Sequence, residues 1–265
     1  MLLSIPKSLW AYRGFILGNV KREFQTKYRN SMLGAVWNVL NPLAMIVVYT
    51  MIFSKVMHAR LLTTGHSFSY SIYLCAGTLI WGLFAEISGR MQSVFIDHAN
   101  LLKKIHFPRL CLPASVVCSA MLNFSIVFSL FSLFLLLSGN FPGWPYLALL
   151  PVLLALLLFA SGLGVTLGVL NVFFRDVGPL FGILLQFWFW ATPIVYPANI
   201  LPIKLLTYLP YNPMAGVVAA CQTILVRGAW PHWADLLPVC LWGLLLSGLG
   251  WRLFRRHSAE IVDEL

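Results

Sequence analysis

Apolar residues run along this chain in blocks separated by short polar breaks, and block length is the first clue to its architecture. A helix rises 1.5 Å per residue, so about 20 mainly apolar residues are needed to cross a hydrocarbon layer ~30 Å thick. Six blocks meet that requirement, at about 33–54, 70–95, 111–137, 146–172, 178–196 and 233–254. They predict an all-α polytopic membrane protein with six transmembrane helices. The segment 197–231 behaves differently. Its apolar run 213–226 is too short to cross comfortably, and Pro197, Pro202, Pro210 and Pro213 cut the segment into pieces. Asn212 followed by Pro213 reads as an N-cap and a first helical position. The pattern predicts two short re-entrant helices between spans five and six. Irregular backbone at membrane depth is tolerated where protein buries it or where it lines a wet cavity, so this hairpin suggests the outer mouth of a pathway.

Two polar segments also carry helical periodicity. In residues 5–30, Leu9, Tyr12, Ile16, Val20, Phe24 and Tyr28 recur every three or four positions, with Lys21, Arg22 and Gln25 elsewhere. This describes an N-terminal amphipathic helix lying in the membrane interface. It either anchors the first span or, in addition, collects an anionic headgroup through Lys21, Arg22, Lys27 and Arg29. The second segment, 97–109, contains Asn100 as a cap and Pro108 as a stop, framing a short amphipathic helix. It is either a structured loop or a docking knob for a cytosolic protein, anchored by Leu101, Leu102, Ile105 and Phe107. Residues 1–32 therefore read as an interface segment, 33–254 as the membrane domain and 255–265 as a tail. Lys7 and Arg13 interrupt the first stretch, so a signal peptide is not expected there.

Charge fixes the expected orientation. Thirteen of the eighteen Lys and Arg residues fall in 1–32, in the second-to-third and fourth-to-fifth connections, and at the C-terminal end from Arg252 onwards. By the positive-inside rule both termini face the cytoplasm. The net charge of +10 is then largely topology and calls for no nucleic acid. With 60% hydrophobic and 10% charged residues, the chain is a poor fit to a soluble enzyme, a disordered protein or a disulfide scaffold. The five cysteines show no CxxC spacing and read as packed thiols.

The spans are poor in the groups that ion-coupled carriers use. Glu86 and Arg90 are the ionisable residues within them, and their i, i+4 spacing favours a structural ion pair. The six histidines are scattered, and neither HExxH nor GxSxG occurs, so no catalytic residue and no metal site are expected. A GxxxxGK[ST] loop is also missing. If nucleotide drives this protein, another subunit must bring it. Aromatics are in surplus: 10 Trp, 9 Tyr and 19 Phe. Trp10, Trp144, Trp230 and Trp233 suit interfacial belts. The cluster 187–190, followed by Pro193, Tyr196 and Tyr211, is denser than a belt requires. It either packs between helices or offers aromatic planes to sugar rings.

Four blocks carry a family resemblance. They are Lys27-Tyr28-Arg29-Asn30-Ser31-Met32-Leu33-Gly34 continuing through Trp37 to Leu40-Asn41-Pro42-Leu43; Asn171 through Phe173-Phe174-Arg175-Asp176-Val177 to Gln186-Phe187-Trp188; Pro193-Ile194-Val195-Tyr196-Pro197; and Tyr211-Asn212-Pro213-Met214. In this order, over about 20–215, they resemble the polysaccharide-export permeases of type-2 ABC transporters, those exporting lipid-linked O-antigen above all. Capsule and teichoic-acid exporters share much of the pattern. One departure is Lys21-Arg22-Glu23-Phe24, where relatives often have an Arg-Asp pair before the basic run.

The resemblance implies the transmembrane subunit of an exporter in the bacterial inner membrane. Its partners would be a second copy of the chain, two cytosolic ATPase subunits that hold ATP and Mg, membrane lipids and a lipid-diphosphate-linked glycan. No cofactor would be bound by this chain. It further implies that Asn100, Leu101, Leu102, Lys103, Lys104, Ile105 and Phe107 form the coupling helix that docks in the ATPase. The headgroup would enter at Lys21, Arg22, Lys27 and Arg29, and the glycan would thread along Trp37, Tyr49, Phe53, Trp188, Trp190 and Tyr196. Spans one and five would rearrange at the dimer interface. Gly162, Gly164 and Gly168 would permit close helix packing within the fourth span. A small-molecule ABC exporter and an ion-coupled carrier or channel are the competing readings.

Overall fold

The computed structural model describes residues 10–28, 69–104 and 108–257, with single positions at 44, 47, 48, 260 and 264. All but three positions of the expected first span lie outside the described residues, as do Arg29, Trp37, Tyr49, Phe53, Ile105 and Phe107. The described chain is all-helical. Helix α1 (Arg13–Tyr28) is followed by α2 (Ser69–Met91), α3 (Val94–Asp97), α4 (Ala99–Lys104) and α5 (Cys111–Leu137). Then come α6 (Leu149–Phe173), α7 (Val177–Ala191), α8 (Ile203–Tyr208), α9 (Pro213–Arg227) and α10 (Leu237–His257). Short 3-10 turns at Trp144–Ala148 and Trp233–Leu236 lead into α6 and α10.

Among the described residues, four helices are long and apolar enough to cross a membrane: α2, α5, and α6 and α10 with their leading turns. The bent pair Ile203–Tyr211 and Pro213–Arg227, folded by 97°, would make a fifth crossing if counted as one broken span. Two expected spans are shorter than the sequence indicated. The second ends at Met91 rather than near 95, because the Gln92 carbonyl accepts from Asn171 Nδ2 at 2.9 Å and the chain turns before α3. The fifth ends at Ala191 rather than 196. Thr192 is extended ahead of Pro193, as the residue before a proline tends to be, and the resulting 15-residue helix is only about 22 Å long.

Helix α6 is the centre of the bundle, and its small residues set the spacing. A Cβ on Gly162 would lie 2.6 Å from Ser247 Oγ of α10, and one on Gly164 would lie 2.6 Å from Met91 Cβ of α2. A Cβ on Gly168 would lie 2.6 Å from the Met91 carbonyl oxygen. From the other side, Gly250 of α10 meets Thr166, and Gly243 meets Leu158 and Phe159. Close approach lets Thr166 Oγ1 donate to the Leu246 carbonyl at 3.1 Å, an interhelical bond of the kind membrane bundles use. The glycine role expected for the fourth span is therefore seen directly.

Helix α1 lies against α5 and buries Ile16 and Val20 there. The middle of its apolar stripe thus faces the bundle, whereas Tyr12, Leu17 and Phe24 are exposed. Helix α7 is the opposite of α6: Phe181 is its one buried residue, and Leu180, Ile183, Leu184, Phe187 and Trp190 are all exposed.

Candidate functional site

At the end of the bundle that carries α1 and α4, three helices meet on one guanidinium. Arg90 in the last turn of α2 pairs with Glu86 one turn back at 3.3 Å, as its spacing predicted. A shorter pair runs to Glu23 of α1, with Arg90 Nη2 2.6 Å from Oε1. Asn123 of α5 donates to Glu86 Oε1 at 2.9 Å, and Arg90 Nη1 donates to Ser119 Oγ of α5 at 3.3 Å. Sequence spacing finds Glu86 because it shares a helix with Arg90. Glu23 lies 67 residues away, and only the departure from the family pattern at Lys21-Arg22-Glu23-Phe24 marks it.

Beside this network is a cavity of about 820 Å³, walled by Asn19, Arg22 and Glu23 of α1, Arg90, Asp97, and Asn100 and Leu101 of α4. The expected headgroup residue Arg22 is exposed and lines it, and Lys21 is exposed nearby on α1. Lys27 belongs to the last turn of the same helix. Helix α4 covers the expected coupling residues Asn100 to Lys104 and differs from expectation in two ways. It starts at Ala99, so Asn100 sits inside its first turn instead of capping it, and the His98 carbonyl accepts from Leu101 and Leu102 N–H. Leu102 is buried in the bundle core, so it fastens α4 to its own chain, while Leu101 is half-buried and Lys103 exposed. Asn171 braces this end: its Nδ2 holds the Gln92 carbonyl and its Oδ1 accepts from Gly178 N–H at 3.0 Å. One side chain thereby links the elbow after α2 to the start of α7.

The hairpin end is tied by neutral hydrogen bonds. Asn212 caps α9, its Oδ1 accepting from Met214 N–H at 3.1 Å, as Asn-Pro predicted. The same oxygen accepts from Trp188 Nε1 at 2.9 Å, and Asn212 Nδ2 donates to Thr192 Oγ1 at 3.1 Å. Tyr70 donates to the Val195 carbonyl at 2.7 Å, and the Tyr73 hydroxyl sits 3.0 Å from the Tyr196 carbonyl. The third and fourth sequence blocks are thus the joint between α7 and the hairpin.

The aromatics expected to meet glycan separate into two groups. Trp188 turns inward, edge-on to Phe84 at 5.3 Å and close to Trp81 and Phe159. Trp190 is 59% exposed on the free face of α7 beside Phe187, and Tyr196 donates to the Trp190 carbonyl. The structure brings Trp190 and Tyr196 together and places Trp188 in packing.

Comparison with known proteins gives this geometry its family. The chain is 28% identical over 266 residues to the O-antigen export system permease protein RfbA of Myxococcus xanthus, covering all of both chains. It is 27% identical to the protein of the same name from Klebsiella pneumoniae, with 92% of each covered. It is 23% identical to the polysialic acid transport protein KpsM of Escherichia coli, over 91% of this chain and 92% of the other. The pattern of the ABC-2 type transporter family, a membrane domain, matches residues 16–226, from α1 through α9. The chain belongs to the ABC-2 type transporter family, as its permease component.

Proposed function

We propose that this chain is the membrane half of an ATP-driven exporter that moves a lipid-linked polysaccharide, O-antigen in type, across the bacterial inner membrane. It works as a homodimer with two cytosolic ATPase subunits, its termini facing the cytoplasm. The observation that carries the substrate class is the likeness, over the whole chain, to permeases named for O-antigen export. The free face of α7 supports the dimer: five large apolar side chains exposed on one 15-residue helix need lipid or a second copy to cover them.

In this reading ATP binding pushes α4 through the segment 97–108. The elbow carries the push to Arg90, and Arg90 carries it through Glu23 to α1. A diphosphate headgroup meets Lys21, Arg22 and Lys27 of that helix together with Arg29, the charges an anion at a membrane surface calls for. The glycan passes Trp37, Tyr49, Phe53, Trp190 and Tyr196, whose flat apolar faces suit the C–H faces of sugars. Trp188 contributes by holding the joint at Asn212.

Purifying the chain from its own cells tests the partnership: an ATPase stimulated by lipid-linked glycan is expected to accompany it. Isolation of a chain that transports without any ATPase contradicts the proposal. Phe107→Glu is expected to leave ATP hydrolysis running while export falls, and unchanged coupling would remove the docking role of 97–108. Reversing charge at Lys27 and Arg29 is expected to stop export, and full export from a folded variant would remove the headgroup role. A second reading, capsule export, is supported by the likeness to the polysialic acid transport protein. Deleting the gene and staining separately for lipid-A-linked and capsular polysaccharide decides between them.

A further inference from the structure

At the hairpin end a second cavity of about 500 Å³ opens between α2, the loop after α7, and helices α8 and α9. None of its described lining residues belongs to α7, and with Pro197 next to Tyr196 the cavity lies beside the aromatic face assigned to the glycan path. The volume falls in the range of small-ligand sites. Gln222 of α9, buried, forms part of the wall with Thr223, and proline rings such as Pro193 and Pro197 form another part. Arg227 and Asp235, both exposed, stand on the lining with opposite charges.

The site is held open by contacts that spanning does not require. Gly216 of α9 touches the Asp235 carbonyl so closely that any side chain there would push the 233–236 turn away. Gln222 Nε2 donates to the Pro193 carbonyl at 3.4 Å, and the Tyr73 hydroxyl sits 3.2 Å from the same oxygen. Both walls are therefore in place before a ligand arrives.

The lining chemistry selects among ligand classes. A diphosphate would face the Asp235 carboxylate, and a cation would face the Arg227 guanidinium, so the balance favours a neutral ligand. A hydrocarbon chain would cover the polar groups of Thr223, Arg227 and Asp235 without hydrogen-bonding them, which costs free energy. A sugar satisfies both kinds of wall: C–H faces against proline and alanine, hydroxyls towards amide, hydroxyl, carboxylate and guanidinium. We propose that this cavity binds a short neutral stretch of glycan at the external mouth, as a holding site beside the main path. The inference rests on the polysaccharide-export reading.

The test uses the full chain with its ATPase in lipid nanodiscs and saturation-transfer NMR with three probes: maltotriose, mannotriose and N,N′,N″-triacetylchitotriose. Transfer to ring protons of at least one probe is expected. Asp235→Asn and Gln222→Leu are each expected to weaken that binding about tenfold, as losing a hydrogen bond to a charged or buried polar group does. Ala219→Phe, which fills the cavity from an exposed position of α9, is expected to abolish it. No transfer from any probe overturns the proposal, as does transfer indifferent to all three substitutions, which would put the sugar elsewhere. A phospholipid retained by the wild type and lost from Ala219→Phe in native mass spectrometry also overturns it, in favour of a lipid. Co-elution of each variant with the ATPase shows that it is folded. Loss of surface polysaccharide on gene deletion tests export itself, independently of this cavity.

Discussion

Helices α6 and α7 are neighbours in sequence and similarly apolar, yet the bundle treats them in opposite ways. Helix α6 is pinned on two sides by α2 and α10, through glycines whose missing side chains admit a neighbour's backbone. Helix α7 buries Phe181 and leaves most of its length uncovered. Its own glycine Gly182 has nothing within 4 Å of a built Cβ. Lipid is as apolar as leucine, so hydropathy does not decide which helix is packed; close fit does. The contrast separates a fixed centre from a wall that a second copy or a passing glycan can cover. What restrains α7 is at its ends: Asn171 at the start, and Asn212 with Thr192 at the finish.

The sharpest way to break this contrast is to put the same side chain into both helices. Gly168→Leu drives a branched chain into the Met91 carbonyl and Phe95, and is expected to cost ~3 kcal/mol, the upper end of overpacking costs. Gly182→Leu should cause no loss of stability, since a side chain there meets nothing within 4 Å and leucine is the better helix former. Thermal denaturation in nanodiscs, followed by loss of monodisperse protein, measures both. Equal losses would mean that α7 is packed after all.

Next in size is Asn212→Ala, which removes the cap of α9 and leaves the Trp188 N–H without its acceptor. A loss of about 1–2 kcal/mol is expected, together with a changed Trp fluorescence maximum. Asn212→Asp keeps the acceptor oxygen and should retain most of the stability. A harmless Asn212→Ala would show that the hairpin does not hold α7.

A smaller loss than that of Asn212→Ala belongs to the pair at the opposite end. Glu23→Gln should cost at most about 1 kcal/mol, because the carboxylate is 41% exposed and such pairs are weak. Its functional effect should be larger: ATP hydrolysis continues while export falls, since α1 is no longer tied to Arg90. Glu23→Asp, which keeps the charge, should recover part of the export. Full export by Glu23→Gln would mean that Arg90 only fills a polar site.

Much of this was legible in the sequence, and the reasons differ by residue. The bounds of α5 follow from an apolar run with Pro108 before it and Gly139 after it. The hairpin follows from its prolines and from Asn212-Pro213, a local signal read locally. Glu86–Arg90 follows from helical spacing. Glu23–Arg90 does not, because nothing along the chain says that α1 lies against the bundle. Trp188 and Trp190 look equivalent in sequence, and only their two-residue offset on α7, about 200° around the helix, separates packing from exposure. Gly216 likewise gains its meaning from the Asp235 carbonyl beside it.

The central claim is tested most directly by transport in inverted membrane vesicles containing this chain and its ATPase. Fluorescently labelled lipid-linked polysaccharide is supplied outside, and protection from an added glycosidase is followed after ATP is given. ATP-dependent protection is expected, lost with a hydrolysis-dead ATPase and reduced by Glu23→Gln. Protection that proceeds without ATP, or none with a complete and active complex, would contradict the account.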